Sequence, residues 1–168
     1  QHMRKVFHEQ LGEDFPVEAF DKDAREGFLR IEREEGIPVK KGARELLSWL
    51  KEQGAVVGLA SSTAHDIVVQ ELTDAGLVDY FQAITGGDQI SHSKPDPEIY
   101  LKACEKLGID PKEAYAVEDS YNGIRSAFSA GMKPLMVPDL LPPTGEMEEK
   151  AHRIFDDLLE VRDFLAGK

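Results

Sequence analysis

Two adjacent carboxylates, Glu118 and Asp119, follow the short apolar run Ala114-Tyr-Ala-Val117, and Ile124, Ala127 and Phe128 then recur at helical spacing until Gly131. The pair therefore stands where a buried strand hands over to a helix, which is the crevice where open α/β sheets bind ligands. Neighbouring acids in such a crevice repel each other unless a cation or a proton compensates, and a hard, oxygen-seeking ion such as Mg²⁺ suits them. Two other strand ends carry complementary groups. Ser61, followed by Ser62, ends the apolar stretch Ala55-Val-Val-Gly-Leu-Ala60, and Lys94 opens the run Lys94-Pro95-Asp96-Pro97. A hydroxyl donor, a fixed ammonium and a carboxylate pair at neighbouring strand ends would hold a phosphoryl group between a metal and a lysine. Pro95 biases Lys94 toward an extended backbone, which aims its side chain instead of winding it into the next helix. Each group also has an ordinary role: Ser61 to Thr63 as a helix cap, Lys94 as a solvated loop lysine, and the two acids as partners of a helix dipole.

The elements that must position these groups are legible from periodicity. Met3, Val6, Phe7 and Leu11 mark one face of a helix, and Pro16 opens a second that carries Val17, Phe20, Ala24, Phe28 and Ile31 inward, so the first 35 or so residues read as an antiparallel helical pair. The Gly/Pro connector Gly36-Ile-Pro-Val-Lys-Lys-Gly42 marks a boundary, placed at 38/39. Beyond it strands and helices alternate. A helix through Leu46, Leu47 and Leu50 leads to the strand ending at Ala60. A helix with Ile67, Val68 and Leu72 follows, then a short strand from Phe81 to Gly87, and a helix through Ile99, Ala103 and Leu107. After the acidic strand end come a strand at Lys133 to Val137, a Pro/Gly-rich loop over 138–145 and a helix from Leu158 to Leu165. Repeated β-α units imply an α/β fold with a parallel sheet and helices on both faces.

Bulk properties narrow the partners. The 168 residues suffice for one cored domain with a small appendage. A formal charge of −12 without any Lys/Arg cluster argues against nucleic acid or an anionic membrane surface. No apolar run approaches the roughly 20 residues of a membrane span. The lone Cys104, in helical register with Tyr100 and Leu107, reads as a reduced core thiol in a cytoplasmic protein. His2 and His8 fall in the first helical segment and His152 near the C-terminus. His92, close to Lys94, reads as a solvated loop residue.

The order of an apolar strand then Ser, Lys-Pro-x-Pro, and Val-Glu-Asp-Ser-x-x-Gly-Ile-x-x-Ala resembles the haloacid dehalogenase superfamily, in its phosphatase and β-phosphoglucomutase-like branch with a small helical cap. The resemblance implies a Rossmann-like core over residues 39–168 and a partial α-helical cap over 1–38. It implies that Ser61 and Ser62 bind the transferring phosphoryl group, that Lys94 neutralises its charge, and that Asp119, with Glu118, binds Mg²⁺. In the family an aspartate attacks phosphorus to form an aspartyl phosphate, and a second aspartate two residues on acts as general acid and base. Both belong to an Asp-x-Asp-Gly motif at the end of the first strand. The only Asp-x-Asp in this sequence is Asp21-Lys22-Asp23, which continues Ala-Arg, sits in a helical pattern and has no apolar strand before it. With its Gln1-His2-Met3 start, the chain therefore reads as a family member without its first strand and the first part of its cap, and as inactive by itself.

The resulting expectation is a Mg²⁺-dependent phosphohydrolase of a small phosphorylated metabolite in the intact protein. The alternatives are a β-phosphoglucomutase-type phosphosugar mutase and a non-enzymatic pseudophosphatase or interaction module. Mutase-like sequences tend to place a lysine three residues after the motif serine, where this chain has Ala64, and a methyl group does not grip phosphate. Dehalogenase chemistry needs no metal and would leave the two acids uncompensated. The family's strand order puts the absent strand between the strands ending at Ser61 and Glu118. Those two should then lie about 9–10 Å apart, two strand spacings; direct pairing at roughly 4.8 Å would favour the pseudoenzyme.

Overall fold

The computed structural model describes residues 2–36 and 38–167, apart from the side chains of residues 2–6, 21, 25, 28, 29 and 31–35. The chain divides into two compact units, Gln1–Pro38 and Val39–Lys168. The first unit is a pair of helices, α1 (His2–Leu11) and α2 (Val17–Glu35). Pro16 lies just ahead of α2, where its missing N–H costs nothing. The rings of Phe7, Phe15 and Phe20 meet with centroids 5.3 to 5.7 Å apart, and Val17 is buried. The inward face is narrower than spacing suggests, since Leu11 and Ala24 are exposed and Phe20 is half exposed. Met3, Val6, Phe28 and Ile31 lie outside the described side chains.

The second unit alternates as expected. It runs α3 (Ala43–Glu52), β1 (Gly58–Ala60), α4 (His65–Asp74), β2 (Ala83–Thr85), α5 (Glu98–Leu107), β3 (Tyr115–Glu118), α6 (Tyr121–Ser129), β4 (Lys133–Met136), α7 (Gly145–Lys150), β5 (Arg153–Ile154) and α8 (Leu158–Leu165). Every strand pair is parallel. Gly58, Leu59 and Ala60 of β1 face Ala83, Ile84 and Thr85 of β2. In a second sheet β4 lies between β3 and β5, with Tyr115 opposite Lys133, Glu118 opposite Met136, and Leu135 opposite Arg153. Among the described residues no ladder joins β1 to β3, so the two strands that end at the acidic and hydroxyl groups are not direct neighbours.

Side-chain alternation along β4 divides the core between two faces. Leu135 and Val137 pack with Leu46 of α3, Val161 of α8 and Phe155 just after β5, while Met136 packs with Ile124 of α6 and Met147 of α7. Ile99 and Tyr100 of α5 pack with Ala116 of β3 and Ala127 and Ala130. Helices thus cover both faces, and each fully buried Ile, Leu or Met contributes about 1.5–3 kcal/mol by leaving water.

Several local expectations are corrected. The strand read from Ala55 pairs only from Gly58, and Val56 is 54% exposed. The run read as a buried strand has Tyr115 and Val117 at 40% and 42% exposure, because among the described residues β3 has a ladder partner on one edge only. Phe128 faces outward, with the Lys150 ammonium 4.8 Å from its ring centroid. The segment 145–154 holds α7 and β5, neither of which spacing predicts: at six and two residues they are too short for a period to register.

Candidate functional site

The C-terminal ends of β1, β2 and β3 carry the site. Ser61 follows β1 directly, and its backbone N–H donates to the Thr85 carbonyl at the end of β2, 3.0 Å away. Its Oγ accepts from the Thr63 N–H at 3.1 Å, which leaves the hydroxyl proton to point elsewhere. The helix-cap role open to this serine is not the one it fills: α4 starts at His65 behind Ala64, with no side-chain cap. Instead the loop is pinned from β2. The Gly87 N–H donates to the Thr63 carbonyl at 2.8 Å and the His65 N–H donates to Asp88 Oδ1 at 2.7 Å. A Cβ on Gly87 would stand 2.2 Å from the Ser62 carbonyl oxygen, so only glycine allows the two loops to close this tightly. Ser62 itself is exposed.

Lys94 reaches the same place from the loop before α5, where its peptide bond to Pro95 is cis. The side chain is 12% exposed, and its ammonium donates to the Ala60 carbonyl at 3.3 Å and to Glu118 Oε1. One cation thus spans from the last residue of β1 to the last residue of β3, two strands that no ladder joins among the described residues. Glu118, at 8% side-chain exposure, also accepts from the Tyr100 hydroxyl on Oε1 and from the Ser120 hydroxyl on Oε2 at 3.2 Å. Its carboxylate lies over Gly123, where a Cβ would come within 2.0 Å of it. Ser120 is the N-cap of α6, accepting from the Gly123 N–H at 3.0 Å, so the turn after β3 is built to present Glu118 inward and Asp119 outward. Asp119 is exposed.

Of the residues singled out in the sequence, Lys94, Glu118 and the Ser61 strand end are brought together; Ser62 and Asp119 border them from the surface. Tyr100 is the one that sequence reasoning missed, and Gly123, though part of the Glu-Asp-Ser-x-x-Gly pattern, gains its role only here. Tyr100 had a signal, since it lies six residues after Lys94 in the first turn of the next helix, but its register with Cys104 suggested a core role only. Burial pushes the Tyr100 hydroxyl well above its usual pKa, with the Glu118 charge and hydrogen bond next in weight, so it stays a donor at neutral pH. Cys104 is buried and its thiol is likewise pushed up by burial, which keeps it protonated and inert.

Two donor sets could take a cation. Glu118 and Asp119 offer carboxylate oxygens of the kind Mg²⁺ prefers. The exposed Asp119 can offer both of its oxygens, whereas Glu118 Oε1 is already committed to Lys94 and Tyr100. The second set is His92, Asp96 and Glu98, whose ligand atoms all lie within 4.8 Å of one another beside a cleft of about 440 Å³ along α5. Those acids already serve the loop and the helix start. Glu98 accepts from the Ser91 and His92 N–H groups and lies 2.9 Å from His92 Nδ1, while Asp96 accepts from the Glu98 N–H. None of Ser61, Lys94, Glu118 and Asp119 lines that cleft.

Residues 2–137 match the family described as haloacid dehalogenase-like hydrolase. Hexitol phosphatase B of Escherichia coli is 40% identical over 105 residues, which are 62% of this chain and 47% of that protein. A phosphorylated carbohydrates phosphatase of Thermotoga maritima is 35% identical over 133 residues, 74% of this chain and 62% of that one. The crystal structure of CbbY from Rhodobacter sphaeroides in complex with phosphate superposes with a TM-score of 0.74 at 28% identity, covering 88% of this chain and 67% of that chain. The chain thus spans between about half and two thirds of the length of these relatives. Among the described residues no helix is long and apolar enough to cross a membrane.

Proposed function

Because the chain belongs to the haloacid dehalogenase-like hydrolase family, we propose that it carries the phosphate-binding and metal-binding side of a Mg²⁺-dependent phosphohydrolase acting on small phosphorylated sugars. The observation that carries this reading is the Lys94 ammonium, held between the end of β1 and the end of β3. A substrate phosphoryl group laid over those strand ends would have this buried cation on one side and the Ser61 hydroxyl on another. Ser61, whose Oγ lone pair is used by Thr63, donates its proton to a phosphoryl oxygen. Ser62 is the exposed hydroxyl beside it. Lys94 offsets the negative charge that gathers on the phosphoryl oxygens, in a setting where water is thin and a fixed charge acts strongly. Asp119, assisted by Glu118, would hold Mg²⁺, which when bound supplies a further positive charge at the phosphoryl group.

The covalent step needs a carboxylate that becomes phosphorylated. Asp21 and Asp23 do not fit it, since both lie within α2 and no strand delivers them. In this proposal the aspartyl phosphate forms on an Asp-x-Asp strand seated between β1 and β3, which no ladder joins among the described residues. Residues 1–38 are read as part of the cap that shapes substrate choice, and residues 39–168 as the core without that strand. Transfer to water is favoured over the mutase reading by Ala64, a methyl group at the start of α4 where a phosphosugar would need a cation. The reduced, buried Cys104 supports a cytoplasmic setting.

The test is a panel of hexitol, hexose and pentose phosphates offered to the full-length protein with and without Mg²⁺. Metal-dependent phosphate release, lost in Lys94→Ala, is expected. Interconversion of hexose phosphates faster than their hydrolysis would establish the mutase instead. A folded full-length protein with no upstream Asp-x-Asp and no turnover would establish the pseudophosphatase.

A further inference from the structure

We infer that Tyr100 is a positioning residue that holds the Lys94 ammonium and the Glu118 carboxylate in the arrangement through which Lys94 meets the phosphoryl group. This rests on the role of Lys94 proposed above. Packing accounts for the ring of Tyr100 but not for its hydroxyl. Tyr100 is 7% exposed and packs with Ile99, Ala116, Ala127 and Ala130, where phenylalanine would fill the same space without a polar atom to desolvate. The hydroxyl donates to Glu118 Oε1, the same oxygen that takes the Lys94 ammonium. That ammonium also lies 4.9 Å from the Tyr100 ring centroid and 3.5 Å from its hydroxyl oxygen. A lysine on a flexible stem is thereby confined on three sides, by a carboxylate, by the Ala60 carbonyl and by an aromatic ring. The groups that face Glu118 are Lys94, Tyr100 and the Ser120 hydroxyl. Tyr100 is the only one of the three that touches both members of the ion pair from within the core. Without its hydroxyl, Glu118 Oε1 keeps a single donor and the pair gains freedom to rotate away from the strand ends.

Two variants of the full-length protein separate the hydroxyl from the ring. Tyr100→Phe should lower kcat on a hexitol phosphate about tenfold, the scale of one hydrogen bond to a charged group, with KM within about twofold and little change in Tm. Tyr100→Leu should lose more of kcat, because the ring face is gone as well. The second readout is the Lys94 ammonium resonance in ¹⁵N-lysine spectra, assigned by its disappearance in Lys94→Arg. It should be sharp in the parent and shifted or broadened by faster exchange in Tyr100→Phe. Unchanged kcat and an unmoved ammonium resonance in Tyr100→Phe would overturn the inference, as would losses in both variants that simply track Tm. If the parent protein hydrolyses no phosphoester, the phosphatase reading fails by itself. The ammonium resonance in Tyr100→Phe then decides the positioning role alone.

Discussion

The Lys94 ammonium and the Glu118 carboxylate form an ion pair across the line that divides the two sheets, with side-chain exposures of 12% and 8%. Breaking one side of a buried pair leaves the other charge uncompensated. Lys94→Ala should therefore destabilise the fold by about 3–5 kcal/mol, read from urea unfolding. A Lys94→Met/Glu118→Gln double variant should recover much of that loss, because neither buried charge remains. Equal stabilities of the single and double variants would contradict the pairing.

Asp119 projects to solvent from the same turn, and its carboxylate contributes little packing. Asp119→Asn should abolish Mg²⁺-dependent turnover in the full-length protein with its circular dichroism and Tm unchanged. Retained turnover in that variant would remove Asp119 from the metal site.

Gly123→Ala sets two effects against each other. Alanine in a helix gains up to about 1 kcal/mol over glycine, yet its Cβ would stand 2.0 Å from the Glu118 carboxyl. Overpacking of this kind costs about 1–3 kcal/mol. The clash is with a carboxylate fixed by three hydrogen bonds, so it should win, lowering Tm and displacing Glu118 from Lys94. A higher Tm would mean that Glu118 swings away freely.

Asp157 caps α8 through the Leu159 and Glu160 N–H groups and pairs with Lys41 at 2.6 Å. The Lys41 hydrogen bond, followed by the Glu160 N–H, holds its carboxyl below the usual range, and the Lys41 ammonium is raised in return by Asp157. A lowered carboxylate contributes stability that is present above its unfolded pKa of about 3.9. That contribution is lost as pH falls through the still lower folded value. The raised lysine contributes below about pH 10.4 and loses its share as pH rises above its folded value. The Tm difference between the parent and Asp157→Asn should hold through neutral pH and narrow below about pH 4. Because the Lys41 side chain is 75% exposed, the difference should also narrow in high salt. A difference independent of pH from 3 to 6 would show that the Asp157 charge contributes neither to the Lys41 pair nor to the cap.

Outside residues 145–154 the order of elements is legible along the chain, as are Ser61, Lys94, Glu118 and Asp119 of the site. Short apolar runs ending in Ser61 and Glu118, set between helical patterns, read as strands that deliver polar groups to one end of a parallel sheet, and the helix from Leu158 to Leu165 follows from its spacing alone. Close approaches carry no such local signal. That Gly87 must press on the Ser62 carbonyl and that Tyr100 completes the Lys94–Glu118 pair are decided by residues many positions apart meeting in space. The same holds for exposure. Tyr115 and Val117 look like core in the chain, and they are half open because burial depends on whether a neighbouring strand covers the edge of β3. Period and composition describe what a segment can bury, and the tertiary structure decides what stands there to bury it.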